Sequence, residues 1–531
     1  MAISDIYAEG IASGWKVIDA SSLTAAQAIA ADVAIIGSGA GGGVAAEILS
    51  LAGLKVVLIE EGALRTSNSF KDMDEARAYR ELYQEAATRA TSDGAISVLQ
   101  GRTVGGTTTV NWTSSFRTPA PTLQHWAAQH QVVGHGVDDM KPWFEKMEER
   151  LSIAPWAVAP NANNSVLKRG CDKLGWESHV IPRNVKGCWD SGYCGFGCPV
   201  NAKQSMLVST IPVALQHGAT LVHRLRVRQL QHADGKVTGA VGEALGSDGR
   251  TPSGVVVTIK ARHFIAAGGA INTPALLLRS QLPDPHQRLG KRTLIHPVVV
   301  TLATMPERID PFYGTPQSIA SDHFQWKDGA TGPMGYKIEV PPIFAGLGSA
   351  VLNVFGEPLR KEIAALPHTN SLLALLRDGF VAQSEGGSVR LAADGSPILD
   401  YDLSDYVWDG ARRAYLSMVE AQFAAGAKQV RPGHLDAPYY ASWAEARQAI
   451  QELPMKKFRA SLFTAHLMGG CAMSENAAHG VVNSRGTHHQ ISNLSVIDGS
   501  VFPTSIGANP QLSVYALSAQ NASALAKELR P

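Results

Sequence analysis

Residues 31–60 read ADVAIIGSGAGGGVAAEILSLAGLKVVLIE, and this stretch decides the fold of the N-terminal region. An apolar, β-branched run leads directly into glycines, an alanine-rich helical stretch follows, and a second apolar run ends at an acid. Gly37 allows the tight turn, Gly39 lets the backbone approach a pyrophosphate, and Gly42 lets the helix pack on the strand. Glu60 ends the second strand, where an acid suits hydrogen bonding to a ribose. The order of these signals predicts a βαβ unit that binds a dinucleotide, either FAD or NAD.

A second glycine-rich loop, GRTVGGTTTVN, occupies residues 101–111. Its small hydroxyl side chains and backbone N–H groups offer hydrogen-bond donors to phosphates or ring carbonyls without steric bulk. One dinucleotide needs two such loops when it lies extended across the domain, as FAD does. The second loop therefore favours FAD over NAD.

Four stretches of the sequence carry a resemblance to a known family. They are GRTVGGTTTVN at 101–111, GGAINTPALLLRS at 268–280, HLMGGCAM at 466–473 and NLSVIDGSVFPTSIGANPQLSVYAL at 493–517. Together they resemble the motifs of the glucose–methanol–choline (GMC) oxidoreductases, in the order that this family keeps. The motif style is similar to the branch that includes long-chain alcohol oxidases and the large subunits of membrane sugar dehydrogenases. Two segments depart from the family pattern, the residues after Ser280 and GKRTLIH at 290–296, and both concern loops on the substrate side.

The resemblance implies a set of residues around FAD. It implies contacts to the ADP half, the pyrophosphate, the adenine, the ribityl chain and the pyrimidine side of the flavin. The implied residues are Gly37, Gly39, Gly42, Glu60, Arg102, Gly105, Gly106, Thr107, Asn111, Val227, Asp498, Pro510 and Gln511. No histidine occurs in 101–111, where some relatives attach the flavin, so we expect FAD to be bound non-covalently.

His466 matches the base of the family, and its partner position falls at Asn509. Alcohol oxidation needs a base for the hydroxyl proton, and a neutral imidazole suits that role. An amide at position 509 can hold the alcohol oxygen and so orient the carbon that loses hydride. Only the resemblance singles out His466 among 17 histidines. Asn509 followed by Pro510 also resembles a plain helix start, with Asn as N-cap and Pro at N1.

The fold class that follows is α/β, with α+β character overall. We expect a Rossmann-like FAD-binding domain, assembled from 31–120, 206–298 and 471–528. A substrate domain with a mostly antiparallel sheet would comprise 121–205 and 299–470. Within it, 388–403 reads as two strands around an Asp-Gly turn, and the following segment as an amphipathic helix.

The composition of the chain limits the partners and the location that we expect for the protein. The 47 basic and 46 acidic side chains leave a net charge of +1, which gives no electrostatic reason to expect nucleic acid as a partner. No apolar run approaches the roughly 20 residues of a membrane span. No signal peptide is apparent, so we expect a cytoplasmic protein, and the resemblance leaves a peripheral membrane contact open.

Cys188, Cys194 and Cys198 form a local cluster of thiols. They could ligate a metal or an iron–sulfur cluster, form a disulfide, or remain small buried residues beside a tight turn. Because no fourth ligand or CxxC pair accompanies them, we predict no metal site.

We predict an FAD-dependent alcohol oxidoreductase, in which hydride moves from a primary or secondary alcohol to the flavin N5 and His466 is the base. Oxygen or a quinone-type acceptor would then reoxidise the flavin. Two apolar stretches, 340–355 and 370–380, lead us to expect an apolar alcohol if they cover the site; both could equally be ordinary core. The alternatives are an FAD-containing hydroxynitrile lyase and the flavin subunit of an electron-transfer dehydrogenase complex.

Overall fold

A computed structural model describes residues 3–352 and 354–530 of the protein. The strands are β1 (Lys16–Asp19), β2 (Gln27–Ile36), β3 (Val56–Glu60), β4 (Ile96–Val98), β5 (Ile153–Pro155), β6 (His179–Val180), β7 (Pro182–Asn184), β8 (Thr220–His223), β9 (Leu225–Ala233), β10 (Lys236–Leu245), β11 (Pro252–Ala266), β12 (Lys291–Leu294), β13 (Val298–Thr304), β14 (Ile319–Ser321), β15 (Tyr336–Glu339), β16 (Thr369–Leu376), β17 (Gly387–Leu391), β18 (Pro397–Asp400), β19 (Gln429–Pro432), β20 (Leu462–Thr464), β21 (Met468–Gly469) and β22 (Leu494–Val496). The helices are α1 (Ile6–Ala12), α2 (Ala40–Leu51), α3 (Ser67–Phe70), α4 (Glu75–Leu82), α5 (Ala120–His130), α6 (Val137–Arg150), α7 (Ala162–Leu174), α8 (Thr210–Gln216), α9 (Gly269–Arg279), α10 (Ala345–Leu352), α11 (Glu357–Ala365), α12 (Asp405–Ala424), α13 (Trp443–Glu452) and α14 (Gln511–Leu529).

The first sheet has the strand order β1-β8-β3-β2-β11-β10-β9, with β22 added beside β11. Its centre is parallel, because β2 pairs in parallel with both β3 and β11. All five residues of β3 are buried, as expected for a parallel strand covered on both faces. The helices α2 and α14 pack against each other. This arrangement confirms the Rossmann-like part of the predicted fold.

The turn between β2 and α2 is built as the glycines of the first motif predict. Gly37 has a φ of +107°, which an L side chain rarely adopts. A Cβ on Gly42 would lie 1.9 Å from the carbonyl oxygen of Gly37, so only glycine lets the helix close onto its own turn. A Cβ on Gly41 would similarly lie 1.8 Å from the carbonyl oxygen of Ile497. The first turn of α2 is therefore pressed against the backbone on two sides.

The second sheet has the order β4-β20-β13-β16-β15-β14-β6, with β19 beside β13. Its pairs are antiparallel except for β4 with β20, which confirms the mostly antiparallel sheet. The predicted hairpin is β17 with β18, and the predicted helix after it is α12. The assignment of chain segments to two domains stays a prediction.

The two faces of the second sheet have different environments. In the register of β13 with β16, Val298 pairs with Leu375 and Val300 with Leu373. Because side chains alternate along a strand, these four share one face, and Phe463 of β20 packs against them. The residues between them in sequence belong to a separate, larger core that includes α12.

Among the described residues, no helix has both the length and the apolar character that crossing a bilayer requires.

Candidate active site

One cavity of about 680 Å³ lies between the two sheets, and most of the predicted site residues surround it. Its volume falls within the range of roughly 300–1,000 Å³ that is typical of cofactor and ligand pockets. The predicted residues that line it are Gly37, Gly39, Glu60, Arg102, Gly106, Thr107, Asn111, Val227, His466, Asp498, Asn509, Pro510 and Gln511. Gly42 and Gly105 do not line it.

The two glycine loops meet at one wall of the cavity. A Cβ on Gly106 would lie 2.8 Å from the Cα of Gly39, so the backbones touch there without side chains between them. A Cβ on Gly39 itself would meet no atom nearer than 4.0 Å. Since Gly39 lines the cavity, that Cβ would project into the space where a ligand lies.

Glu60 holds the turn between β2 and α2 in place. Its Oε2 accepts hydrogen bonds from the backbone N–H (3.1 Å) and hydroxyl (2.6 Å) of Ser38. Its Oε1 accepts from the N–H of Gly62 at 2.8 Å. Ser38 Oγ in turn accepts from the N–H of Gly105 at 3.0 Å, which links the first glycine loop to the second. Glu60 therefore supports the loops as well as lining the cavity.

A charged cluster lies where the cavity reaches β9. Arg102 Nε donates to Glu61 Oε1 at 2.8 Å, and Arg226 Nη2 donates to the same oxygen at 3.1 Å. Burial works against the charge of Glu61, yet these two guanidinium groups lower its pKa to about 2. Val227, the predicted adenine contact, follows in the same strand and lines the cavity.

Asp498 is buried at the end of β22, and its carboxylate oxygens are occupied by donors. Oδ2 accepts from Gly269 N (2.7 Å) and Thr273 Oγ1 (2.6 Å), and Oδ1 from Ser500 N (2.8 Å). Burial raises the pKa of this carboxyl, although all three donors oppose that shift. Asp498 thus ties the first turn of α9 to the cavity wall.

The start of α14 points into the cavity but differs from the prediction. The helix begins at Gln511, with Pro510 in the N-cap position and no side-chain cap. The interpretation of Asn509 as N-cap is therefore wrong, because its side chain donates elsewhere, to Glu339. Gln511 Oε1 accepts from Asn111 Nδ2 at 2.6 Å, so the second glycine loop is fixed to the start of the helix.

His466 lies in the loop between β20 and β21 and lines the cavity. Its backbone N–H donates to Thr464 Oγ1 at 3.1 Å, which fixes the loop. Burial lowers the pKa of its imidazole to about 4. The ring is therefore neutral at physiological pH and able to accept a proton.

His296 is a site residue that the sequence did not identify. Its Nδ1 lies 3.1 Å from Nδ1 of His466, and the ring is fully buried. Its backbone N–H donates to the buried carboxylate of Asp378 at 3.1 Å. Burial is the main reason that the pKa of His296 lies well below its usual range, and the nearby His466 lowers it further. The only sequence signal is its place at the end of GKRTLIH, a segment that departs from the family pattern on the substrate side.

Glu339 is the second residue that was missed. It ends β15, is fully buried, and accepts from Asn509 Nδ2 at 3.1 Å. A charged pair of positions, Lys337 and Glu339, in an otherwise apolar strand was the signal that could have identified it.

The apolar face of the second sheet forms a wall of the cavity beside His466. The lining residues from this face are Val298, Leu373, Leu375 and Phe463. No described residue of 340–355 lines the cavity, whereas Leu373 and Leu375 of 370–380 do. The expectation that both apolar stretches surround the site thus holds for the second one only. We call these four residues the apolar wall.

The three clustered cysteines lie beside buried cations. All three are half-buried free thiols. Cys188 Sγ accepts from Asp190 N at 3.4 Å, and Arg183 Nη2 lies 3.9 Å from Cys194 Sγ. Lys203 donates to the carbonyl of Cys194 at 2.7 Å. Within residues 3–352 and 354–530, no group of three or more His, Cys, Asp or Glu side chains is arranged to hold a metal ion.

Comparisons with known proteins agree on one family. Two models described as GMC oxidoreductase match residues 79–298 and 382–518. A GMC-type oxidoreductase of Mycobacterium tuberculosis is 30% identical, over 92% of this chain and 74% of its own length. A long-chain-alcohol oxidase of Arabidopsis thaliana is 27% identical over 92% of this chain. The chain spans 66% of that plant protein's length.

Among solved structures, the formate oxidase of Aspergillus oryzae superposes with a TM-score of 0.69. It is 16% identical, and the match covers 95% of this chain and 100% of the other. At that identity the likeness shows the shared fold.

Proposed function

We propose that this chain, a member of the GMC oxidoreductase family, oxidises an apolar primary or secondary alcohol to the aldehyde or ketone. FAD is the hydride acceptor in this proposal. The observation that supports the proposal is that one cavity is lined both by residues suited to the cofactor and by residues suited to the alcohol. The glycine loops line it, and so do His466, Asn509 and the apolar wall. Since all of these residues line the same space, a bound dinucleotide and an alcohol can meet within it.

The residues of the cavity fit FAD. Gly39 leaves room for a pyrophosphate, because a Cβ there would enter the cavity and not the protein. The N-terminus of α14 faces the cavity at Gln511, and a helix N-terminus stabilises negative charge, including that of a reduced flavin ring. We propose that Gly39, Gly106 and Thr107 hold the phosphates, that Val227 lies at the adenine, and that the attachment is non-covalent. When bound, FAD supplies a hydride acceptor at N5 of the flavin.

The hydrogen bond with His296 limits the tautomers that His466 can adopt. Their two Nδ1 atoms lie 3.1 Å apart, so one must carry a proton and the other must accept. If His466 carries the proton on Nδ1, its Nε2 has a free lone pair and can accept the proton of the alcohol hydroxyl. His296 then accepts at Nδ1 and carries its own proton on Nε2. We propose that this tautomer is the reactive one.

Asn509 is proposed to hold the alcohol oxygen. Its amide nitrogen has two N–H donors, and one is used on Glu339. The second can donate to the oxygen from which His466 removes the proton. Two fixed contacts on that oxygen orient the carbon that gives up hydride, and such orientation accounts for a large share of enzymatic rate enhancement.

The apolar wall favours an alcohol with an aliphatic or aryl chain. Its side chains offer no hydrogen-bond donors or acceptors, and a sugar would leave its hydroxyl groups unpaired against them. We therefore expect apolar alcohols to be oxidised with a higher kcat/KM than glucose or choline.

Truncation of the wall tests this substrate class. Phe463→Ala is expected to lower kcat/KM for the preferred apolar alcohol about 10–200-fold, because a few buried methylene groups contribute that much to recognition. A small alcohol that does not reach the wall should lose much less. Steady-state kinetics with alcohols of increasing chain length measure the difference.

Phe458→Ala is the matched control, since Phe458 is the same residue type but is 59% exposed and outside the cavity. Equal losses for short and long alcohols in Phe463→Ala would contradict the proposed role of the wall.

The reaction itself is tested by mixing the yellow holoenzyme with alcohols in the absence of oxygen. Loss of the flavin absorbance with one class of alcohol is the expected result. Admission of air, or of a quinone, then identifies the acceptor that restores the colour. A flavin that stays yellow with every alcohol would refute the proposal.

A further inference from the structure

Glu339 is an acidic residue that the proposed reaction does not use, although it contacts Asn509. The carboxyl is fully buried at the end of β15, on the face of the second sheet that also carries Leu373, its register partner in β16. Its Oε2 accepts a hydrogen bond from Asn509 Nδ2 at 3.1 Å. A buried carboxyl with so few donors needs a physical explanation.

Two buried oxygens of this pair have no hydrogen-bond partner. They are Glu339 Oε1 and Asn509 Oδ1, one on each of the two side chains that are already linked. A carboxylic acid and a primary amide can form two hydrogen bonds, N–H to C=O and O–H to C=O. The pair has the first of these, and the two atoms without partners are those that would form the second. A proton on the carboxyl supplies the missing donor.

The charges around Glu339 do not compensate for its burial. Lys337 lies on the same strand, but its ammonium group is paired with Asp322 at 2.7 Å. Arg183 and Lys337 favour the carboxylate, whereas Asp322 favours the neutral acid. Burial outweighs the two cations and raises the pKa of Glu339 to about 7.

We propose that Glu339 is a positioning residue, which as a neutral carboxylic acid holds the Asn509 amide by two hydrogen bonds and keeps its second N–H directed at the substrate oxygen. This inference rests on the proposed function for its kinetic consequence. Ionisation of Glu339 removes the O–H donor and places a negative charge beside the amide oxygen. The amide then loses one of its two anchors and its fixed orientation.

The expected pH dependence has a definite sign. Because the pKa of Glu339 is raised to about 7 from 4.5, the neutral acid predominates below that pH and is lost as the pH rises through it. The turnover number should therefore decline on the alkaline side. His466, with a pKa lowered to about 4, is already neutral throughout this range and cannot cause the decline.

The kinetic test compares Glu339→Gln and Glu339→Leu with the wild-type holoenzyme. The glutamine side chain has an N–H and a C=O at every pH, so it can form both hydrogen bonds with Asn509 and does not ionise. We expect Glu339→Gln to retain most of the acid-side kcat and to lose the alkaline decline. Glu339→Leu should lower kcat on the order of 10-fold at all pH values, with a smaller change in KM. Glu420→Gln, at a half-buried glutamate on α12 outside the cavity, should keep the wild-type profile.

An infrared measurement tests the protonation state without any activity. The difference spectrum of the holoenzyme between about pH 6 and about pH 9 should show a carboxylic acid C=O band that disappears at the higher pH. The band should be absent in Glu339→Gln and present in Glu420→Gln. Its absence from the wild type, or an alkaline decline that persists in Glu339→Gln, would overturn the inference. If no alcohol reduces the flavin but the band is present, the proposed function fails and the neutral acid stands.

Discussion

Replacement of His466 by alanine is expected to slow the reduction of bound FAD by an alcohol about 10²–10⁴-fold, the range that a general base contributes. The imidazole lines the same cavity as the apolar wall and is neutral, with a pKa of about 4. FAD affinity should change little, because other residues are proposed to make the phosphate and adenine contacts. Anaerobic stopped-flow absorbance gives the reduction rate, and the flavin spectrum after gel filtration gives the retained FAD.

His263→Asn is a matched control for this variant. His263 is also buried with a pKa lowered to about 4, but its Nε2 is paired with Ser495 Oγ at 2.9 Å outside the cavity. We expect a reduction rate close to that of the wild type. If His466→Ala were reduced as fast as His263→Asn, His466 could not be the base.

Replacement of Gly39 by valine is expected to weaken FAD binding on the order of 100-fold, because steric overlap in a closely packed site costs up to about 3 kcal/mol. The new side chain would project into the cavity and occupy the space proposed for the pyrophosphate. Since a Cβ at this position meets no protein atom nearer than 4.0 Å, we expect the apoprotein to fold normally. The purified variant should therefore be colourless, with an apoprotein melting temperature close to that of the wild type.

Gly42→Val separates loss of the cofactor from loss of the fold. A Cβ at this position would lie 1.9 Å from the carbonyl oxygen of Gly37, within the protein. Its apoprotein should melt at a clearly lower temperature, unlike that of Gly39→Val. FAD titration followed by flavin fluorescence, together with calorimetry of both apoproteins, measures the two effects. A Gly39→Val protein that binds FAD with unchanged affinity would exclude a phosphate at this turn.

The parts of the fold that were predictable have local causes. The turn from β2 to α2 needs glycine within a few residues of sequence, so the pattern around Gly37 was sufficient. The hairpin of β17 with β18 likewise follows from an Asp-Gly turn between two short apolar runs. Both structures depend on contacts between residues that are near in sequence, and propensity describes such contacts well.

The site was predicted in part, and its missing members have distant partners. His296 contacts a residue 170 positions away, and so does Glu339. Neither contact leaves a pattern in the sequence around it, because each arises when separate strands are brought to one cavity. The resemblance to a family supplied His466 and Asn509, whereas the residues hydrogen-bonded to them required the structure.

The start of α14 shows how a distant contact can change a local outcome. Asn followed by Pro is a good N-cap sequence, and propensity alone favours Asn509 in that position. In the structure its amide is hydrogen-bonded to Glu339, on a strand of the second sheet, and the helix begins without a side-chain cap. A tertiary hydrogen bond in the site has replaced the local one.

Three of the four residues of the apolar wall are alternate residues of β13 and β16, while the residues between them pack into the core with α12. Under the proposed function, substitutions in the apolar wall change which alcohol is accepted, while the side chains that face α12 stay the same. Directed evolution that randomises Val298, Leu373, Leu375 and Phe463 together would make use of this separation.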